Sequence, residues 1–288
     1  MVDTRAAAPL TDVLAEHGEG PVWFDATSQL RFVNMLEGEI VTVDDSGALA
    51  ERLRVGDIAA AFRPREEGGL VIAVERGFAL LSADGELTTL PEVWSDSSVR
   101  MNDGACDTQG RFLCGTMAYD AAEGRGSLHR LEFDGSTTTV LDGVTISNGL
   151  AFSPDGESAV YVDSPTQQVR RYRLPADDGV WSDYDVIVEI DADTGTPDGL
   201  CVDDEGGIWV ALWGGSAVHR YTADGELTDV VTLPVSHVTA CTLGGHDGRT
   251  LLITTSSVKI DRAIEPHAGA VFSARVDVAG PPVLTSRH

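Results

Sequence analysis

Four oxygen-bearing side chains stand directly before a glycine at separate places along the chain: Glu19, Asp103, Asn148 and Asp198. Carboxylate and amide oxygens are the ligands that hard divalent cations prefer. Glu19, Asn148 and Asp198 together would balance a 2+ ion and leave coordination positions open for water and substrate, as a catalytic metal requires. Turn chemistry is the alternative, because Asn and Asp before Gly also cap backbone turns. The pattern alone leaves both interpretations open.

The segments around these four residues repeat. A polar residue and a glycine precede a short apolar run, then a turn, then a second strand, as in 147–163 and 197–211. The starts of these units lie near residues 20, 60, 104, 149, 199 and 240, a period of roughly 40–50 residues that is typical of propeller blades. We therefore predict an all-β, six-bladed β-propeller with four-stranded antiparallel blades around a central channel, in one domain over 1–288.

This architecture would bring distant residues together. The first strands of propeller blades surround the channel, so side chains at equivalent starts converge there. A pair of β-sandwiches is the alternative fold, but it gives no reason for a fixed period. No segment keeps a helical period over four turns, and only Asp57–Phe62 is expected to form a short helical turn.

Composition excludes several classes of partner. The formal net charge of −26 disfavours binding to nucleic acid or to an anionic membrane surface. The four cysteines show no CxxC spacing and lie in apolar runs, which favours buried thiols over a disulfide or a metal site. The start of the chain has no apolar segment of signal-peptide length, and no run approaches about 20 apolar residues. We expect a cytoplasmic protein.

Six motifs in register make the chain similar to the SMP-30/gluconolactonase/regucalcin family, over nearly its whole length. They are GEGPVW (18–23), RMNDG (100–104), CGTM (114–117), ISNGL (146–150), PDGLCVD (197–203) and IWVA (208–211). The resemblance implies a six-bladed propeller with one divalent metal in its channel. It also implies hydrolysis of a sugar-derived lactone.

The resemblance implies metal ligands at Glu19, Asn148 and Asp198, and substrate contacts at Arg100 and Asn102. Family members often carry a further acidic residue after the Gly-Thr-Met motif. Asp120 takes that place here, although the paired glutamates of the family pattern are not kept. Ca²⁺, Zn²⁺, Mg²⁺, Mn²⁺ and Fe²⁺ all tolerate this ligand set.

We predict a divalent-metal-dependent lactonase that opens an aldonolactone to the aldonic acid. In this hypothesis the cation polarises the lactone carbonyl, and Asp198 accepts the proton of the attacking water. Arg100 and Asn102 orient the sugar, and Asp103 supports the ligands directly or through water.

Two other functions remain open at this stage: a metal-dependent phosphotriesterase or other esterase on the same scaffold, and a non-catalytic calcium-binding regulatory protein. The chain has no GxSxG, HExxH or GxGxxG motif, so serine-hydrolase, zincin and dinucleotide chemistry are not indicated. The seven histidines are scattered and are not expected to be ligands. Trp23, Trp209 and Trp213 are expected to pack between blades rather than to line the channel.

Overall fold

The computed structural model describes residues 2–288, and strands make up nearly all of its regular structure. Within these residues there is no α-helix, only two short 3₁₀ turns at Met35–Glu37 and Ser164–Thr166. The strands form six separate sheets. The first strand of each sheet packs against the first strand of the next, and the sixth returns to the first. The predicted six-bladed β-propeller is confirmed.

The blades follow one another along the chain. Blade 1 contains β3 (Gly18–Phe24), β4 (Gln29–Asn34), β5 (Glu39–Asp44) and β6 (Leu49–Arg54). Blade 2 contains β7 (Ala59–Pro64), β8 (Leu70–Val74), β9 (Gly77–Leu81) and β10 (Leu87–Thr89). Blade 3 contains β11 (Val99–Cys106), β12 (Phe112–Ala118), β13 (Gly126–Leu131) and β14 (Thr137–Val144). Blade 4 contains β15 (Ser147–Phe152), β16 (Ser158–Asp163), β17 (Gln168–Arg173) and β18 (Tyr184–Glu189).

The last two blades include strands from the start of the chain. Blade 5 contains β19 (Thr196–Val202), β20 (Ile208–Trp213), β21 (Ala217–Tyr221) and β22 (Leu227–Thr232), and β1 (Asp3–Ala6) adds to it in parallel. Blade 6 contains β23 (Val238–Gly244), β24 (Thr250–Thr255) and β25 (Ala270–Arg275), with β2 (Ala8–Val13) as its antiparallel outer strand. The N-terminal strands therefore tie the two ends of the chain together.

The core lies between the faces of neighbouring blades. Its largest fully buried side chains include Phe32, Phe62, Phe112, Trp209 and Phe272. Since each blade is covered on both faces, inner strands are buried almost continuously, as in β7. Burial of apolar area at roughly 25 cal/mol per Å² is the main stabilising contribution to such a stack.

Three further sequence expectations concern this core. The four cysteines are free, and three of them are buried. Trp23 and Trp209 pack in apolar clusters between blades, as predicted. The short helical turn predicted at Asp57–Phe62 is wrong, because Ala59–Pro64 is strand β7. Pairing with β8 and burial against the neighbouring blades override the helical propensity of its alanines.

A C-terminal strap, residues 279–288, crosses the end of the channel where the inner strands finish. Its backbone bonds to the end of one inner strand and to the loops that follow three others: Ser286 N donates to Pro64 O, Gly280 N to Gly248 O and Arg287 N to Gly110 O, and Asp204 N donates to Ala279 O of the strap. The strap therefore lies over this end of the channel. The opposite end, where the inner strands begin, forms the mouth. Residues 2–288 contain no helix that is long and apolar enough to span a membrane.

Candidate functional site

Each inner strand is irregular at the same place, close to its start. The pairing with the second strand of the blade slips between Glu19 and Val22, between Asn148 and Leu150, and between Pro197 and Leu200. The other three inner strands slip at the equivalent position. Such bulges redirect side chains. All six inner strands thus have a bulge near the mouth, and four of them place a carboxylate or an amide there.

The glycine after the polar residue has a packing role. A Cβ atom on Gly149 would lie 2.8 Å from the carbonyl oxygen of Asp198, and one on Gly199 would lie 2.5 Å from the Cβ of Ala240. Neighbouring inner strands therefore approach too closely for any side chain at these positions. At Asn148-Gly149 and Asp198-Gly199 the pair therefore combines a polar side chain with a glycine that lets neighbouring inner strands pack closely.

Glu19 and Asp198 are buried carboxylates without a cationic partner. Their residues are 4 % and 7 % exposed. Burial and the charge of Asp103 raise the pKa of Glu19 to about 8. Burial, then the charges of Glu19 and Asp103, raise the pKa of Asp198 well above its usual range. Neither carboxylate forms an ion pair within residues 2–288, and Arg100 only partly offsets their charge. Ionisation of both carboxyl groups is therefore disfavoured unless a cation compensates their charge.

A chain of hydrogen bonds orients the third predicted ligand. Arg100 donates from Nη1 to Oδ1 of Asn102 at 2.7 Å, and Asn102 donates from Nδ2 to Oδ1 of Asn148 at 2.9 Å. Asn148 in turn donates from Nδ2 to Oγ of Ser164 at 2.8 Å. These bonds fix the orientation of the Asn148 amide. Because an amide oxygen has two lone pairs, one remains for a further partner.

The other two predicted side chains occupy different surroundings. Asp103 is partly buried and accepts a bond from the backbone N–H of Gly104 at 2.7 Å. Burial raises its pKa, and Arg63 opposes the rise. Asp120 is exposed and accepts a bond from the N–H of Ala122 at 3.1 Å. The structure thus groups Glu19, Asp103 and Asp198, whereas Asp120 caps its own loop.

The donor set fits a hard divalent cation only when the amide is included. Within residues 2–288, no three His, Cys, Asp or Glu side chains lie together in a way that would hold a metal by themselves. A cation at the mouth would therefore need Oδ1 of Asn148 beside the carboxylates of Glu19 and Asp198. Such a mixed oxygen set suits Ca²⁺ or Mg²⁺ chemistry. A 2+ charge would also compensate the buried carboxylates.

The structure adds residues that the sequence did not single out. Tyr119 lies with its ring 5.9 Å from the guanidinium carbon of Arg100 and donates its hydroxyl to Oε1 of Glu75 at 2.6 Å. Burial and this bond raise the pKa of Tyr119 to about 12. Glu75 follows the end of β8, so blade 2 supplies an acidic group near Arg100. No motif marks it, because it is not at a repeat start.

Three aromatic side chains also meet at the mouth. The rings of Trp213 and His237 stack with centroids 3.8 Å apart, and His17 contacts Trp213 edge-on at 6.0 Å. From the sequence, the histidines looked scattered, and Trp213 was expected to pack between blades. They converge because each lies at the mouth end of a strand in blade 1, 5 or 6.

A cavity of about 290 Å³ lies at the strap end, lined by Trp23, Asp25 and Asp204 among others. It contains none of the predicted site residues. The buried polar cluster is therefore at the other end of the molecule from this cavity.

Comparison with known proteins places this geometry in a family. A family model described as the SMP-30/gluconolactonase/LRE-like region matches residues 17–257. The pentonolactonase XacC of Haloferax volcanii is 33 % identical over 96 % of this chain and 97 % of its own length. A 6-deoxy-6-sulfogluconolactonase of Pseudomonas putida is 34 % identical over 91 % of this chain and 92 % of its own. The solved structure of a calcium-binding protein, regucalcin, from Agrobacterium tumefaciens superposes with a TM-score of 0.92. It is 29 % identical, and the match covers 100 % of this chain and 99 % of that one.

Proposed function

Because the chain belongs to the SMP-30/gluconolactonase/LRE-like family, we propose that it is a divalent-metal-dependent lactonase that hydrolyses a sugar-derived lactone to the aldonic acid. One observation carries the proposal: Glu19 and Asp198 are buried together without a cationic partner, beside the oriented amide of Asn148. Buried charges are normally paired or coordinate metals. The names of the relatives support a lactone as the substrate.

A divalent cation held by Glu19, Asn148 and Asp198 would supply polarisation of the lactone carbonyl and a lowered pKa for the attacking water. Asp198 accepts the proton of that water. A metal-bound carboxylate is a weak base, so Asp198 would act together with the cation, which lowers the pKa of the water. The water oxygen bonds to the carbonyl carbon, the ring C–O bond breaks, and the departing ring oxygen takes up the proton. The product is the open hydroxy acid.

Arg100 orients the substrate. Its Nη1 donates to Oδ1 of Asn102 and to the carbonyl oxygen of Met101, and it contacts Sδ of Met35 at 3.2 Å. These contacts fix the guanidinium and leave Nη2 and Nε to reach a substrate oxygen. Arg is always charged and presents its donors in a fixed fork, so it suits the hydroxyl groups of a sugar.

Asn102 and Asp120 complete the proposed substrate residues. Asn102 uses its amide to join Arg100 to Asn148, so a hydroxyl bound at Arg100 is placed in a fixed relation to the predicted ligands. Asp120 lies on the exposed loop after β12, and it would meet only the outer part of a substrate. Its contribution is therefore expected to be smaller than that of Arg100.

Hydrolysis of a panel of lactones tests the proposal. Purified protein is stripped with EDTA, supplied with single divalent metals, and assayed for acid release from pentono- and hexonolactones in weak buffer. Turnover restored by one or more metals is expected. Absence of turnover above background with every ion, in protein that still binds metal, would overturn the lactonase. A phosphotriester or other activated ester is then the next substrate class to assay.

A further inference from the structure

The mouth of the channel has an aromatic side. His17 directly precedes β3, Trp213 ends β20, and His237 directly precedes β23. Trp213 forms an isolated bridge with His237, and their rings are nearly parallel, at 15°. His17 meets Trp213 at 68°. Three blades thus contribute to one continuous aromatic surface, defined here as the aromatic wall: His17, Trp213 and His237.

The aromatic wall is next to the carboxylates. His17 is two positions before Glu19 on the same chain segment. Trp213 pairs with Thr196, which is two positions before Asp198. Arg100 lies near the start of β11, so the wall and Arg100 are at the same end of the ring of inner strands.

The opposite side of the mouth is polar and comes from other blades. Arg100 and Asn102 belong to β11, Tyr119 follows β12, and Glu75 follows β8. Their contacts with one another are hydrogen bonds and a cation–π contact. In the aromatic wall, by contrast, ring contacts dominate. Nδ1 of His237 has no hydrogen-bond partner within residues 2–288, and Nδ1 of His17 meets only Oγ of Ser256, at 2.9 Å.

An aldonolactone has the same two-sided chemistry. Its hydroxyl groups and carbonyl are polar, whereas its ring and exocyclic carbons present C–H groups. Aromatic rings have a negative face that attracts such C–H groups, and aromatic side chains supply large contact area at low entropic cost. Ligand sites generally combine an apolar lining with a few placed polar groups.

We infer that Trp213, supported by His17 and His237, is a specificity-determining residue that packs against the carbon-bearing side of the sugar lactone while Arg100 and Asn102 take its hydroxyl groups. The inference rests on the proposed lactonase function. It concerns how the substrate is held, and it leaves the predicted metal ligands unchanged. Trp213 is only partly buried, so part of its surface is open to a ligand.

The test compares Trp213→Leu and Trp213→Phe with the wild type in steady-state kinetics on a pentonolactone and a hexonolactone. Trp213→Leu is expected to raise KM about tenfold with kcat changed by less than about threefold, since a lost aromatic contact of about 1.4 kcal/mol acts on binding. Trp213→Phe keeps an aromatic ring and is expected to restore most of the affinity. Metal content should be the same in all three proteins.

Trp181→Leu is the matched control. Trp181 packs against Phe152 and Tyr172 in blade 4, away from the mouth. Its removal is expected to lower thermal stability without changing KM. A Trp213→Leu protein that behaves in the same way, with a lower Tm and a KM within about twofold of the wild type, would show that Trp213 only joins blades. That result overturns the inference while the lactonase stands.

A second measurement does not depend on catalysis or on the leucine variant. Titration with the aldonic acid product should change the tryptophan fluorescence of the wild type, and the change should disappear in Trp213→Phe. An equal change in both proteins contradicts the aromatic wall. If the wild type itself turns over no lactone, the proposed function fails, and the inference that rests on it fails with it.

Discussion

Asp198 and Asp203 lie five positions apart, the first in strand β19 and the second in the turn after it. Both are almost fully buried, at 7 % and 4 % exposure. Their surroundings differ completely. Asp203 accepts bonds from the N–H groups of Glu205 and Gly207, from Nε1 of Trp209, and from Nε of Arg220 at 2.7 Å. Asp198 has no cationic partner and shares its space with the carboxylates of Glu19 and Asp103.

The contrast separates a carboxylate that stabilises the fold from one that we propose to take part in the chemistry. Asp203 has both oxygens occupied, and its charge is neutralised by Arg220. Asp107, at the equivalent turn of blade 3, is arranged in the same way, with Nε of Arg111 at 2.7 Å and two backbone N–H groups. Burial of charge is costly unless it is paired. A buried acidic cluster that stays unpaired therefore indicates a site for a charged ligand.

Asp198→Asn is the substitution with the largest expected effect, and it acts on activity. The change is nearly isosteric, but it replaces a predicted carboxylate ligand with a neutral amide and removes the proposed base. We expect kcat/KM for a sugar lactone to fall by about 10³-fold, within the range of about 10²–10⁴ for a positioned proton-transfer group. Stability should be kept or increased, because a buried carboxyl group with a raised pKa is replaced by a neutral amide. The measurement pairs lactone kinetics with thermal unfolding.

Asp155→Asn provides the comparison for that variant, since Asp155 caps an exposed turn and lies away from the channel. It should hydrolyse lactone at the wild-type rate. Wild-type kinetics in Asp198→Asn itself would remove Asp198 from the mechanism, and the contrast with Asp203 would lose its functional meaning.

Asp203→Ala should have the opposite pattern, with a large effect on stability and none on chemistry. The substitution leaves the guanidinium of Arg220 and the indole N–H of Trp209 buried without their main acceptor. Breaking a buried ion pair in this way costs about 3–5 kcal/mol. Urea-induced unfolding measures this loss, and activity per folded molecule should remain that of the wild type.

Asp204→Ala is the neighbouring control. Asp204 is exposed, and its contact with the strap uses the backbone N–H, which alanine keeps. Its free energy of unfolding should stay within about 0.5 kcal/mol of the wild type. Equal stability losses in Asp203→Ala and Asp204→Ala would mean that the buried ion pair does not hold the turn.

The fold could be predicted from the sequence because short local motifs mark each repeat. Polar-Gly starts in four blades, alternating strands and Gly-containing turns recur at intervals of roughly 40–50 residues, and they give the number of blades. The pairing of β2 with β25 was not predictable in this way. It depends on how the ring closes, and the first residues carry no repeat signal of their own.

The candidate site was predictable to the same extent. Glu19, Asn148 and Asp198 stand at repeat starts, so the period alone indicated their convergence. Trp213 and His237 are separated by 24 positions and follow no motif, and only the packing of blade 5 against blade 6 brings their rings together. Glu75 likewise reaches Tyr119 across a blade boundary. Contacts between blades depend on side-chain direction and distance, which a single sequence does not give.

The smallest expected effect is the stabilisation of the folded protein by divalent ions. It tests whether Asp198, unlike Asp203, takes part in binding the ion. An ion that binds only the folded state at about 100 times its Kd adds about 2.7 kcal/mol to the free energy of unfolding. The stabilising metal should raise the Tm of the wild type and of Asp203→Ala, but not that of Asp198→Asn or Glu19→Gln.

Any added salt also stabilises a protein with a formal charge of −26, because the ions screen the repulsion between its acidic side chains. Each measurement is therefore matched with NaCl at equal ionic strength. Only the increase beyond NaCl reports the site. An equal increase in all four proteins would assign the effect to the acidic surface and would leave the buried carboxylates at the mouth without a metal.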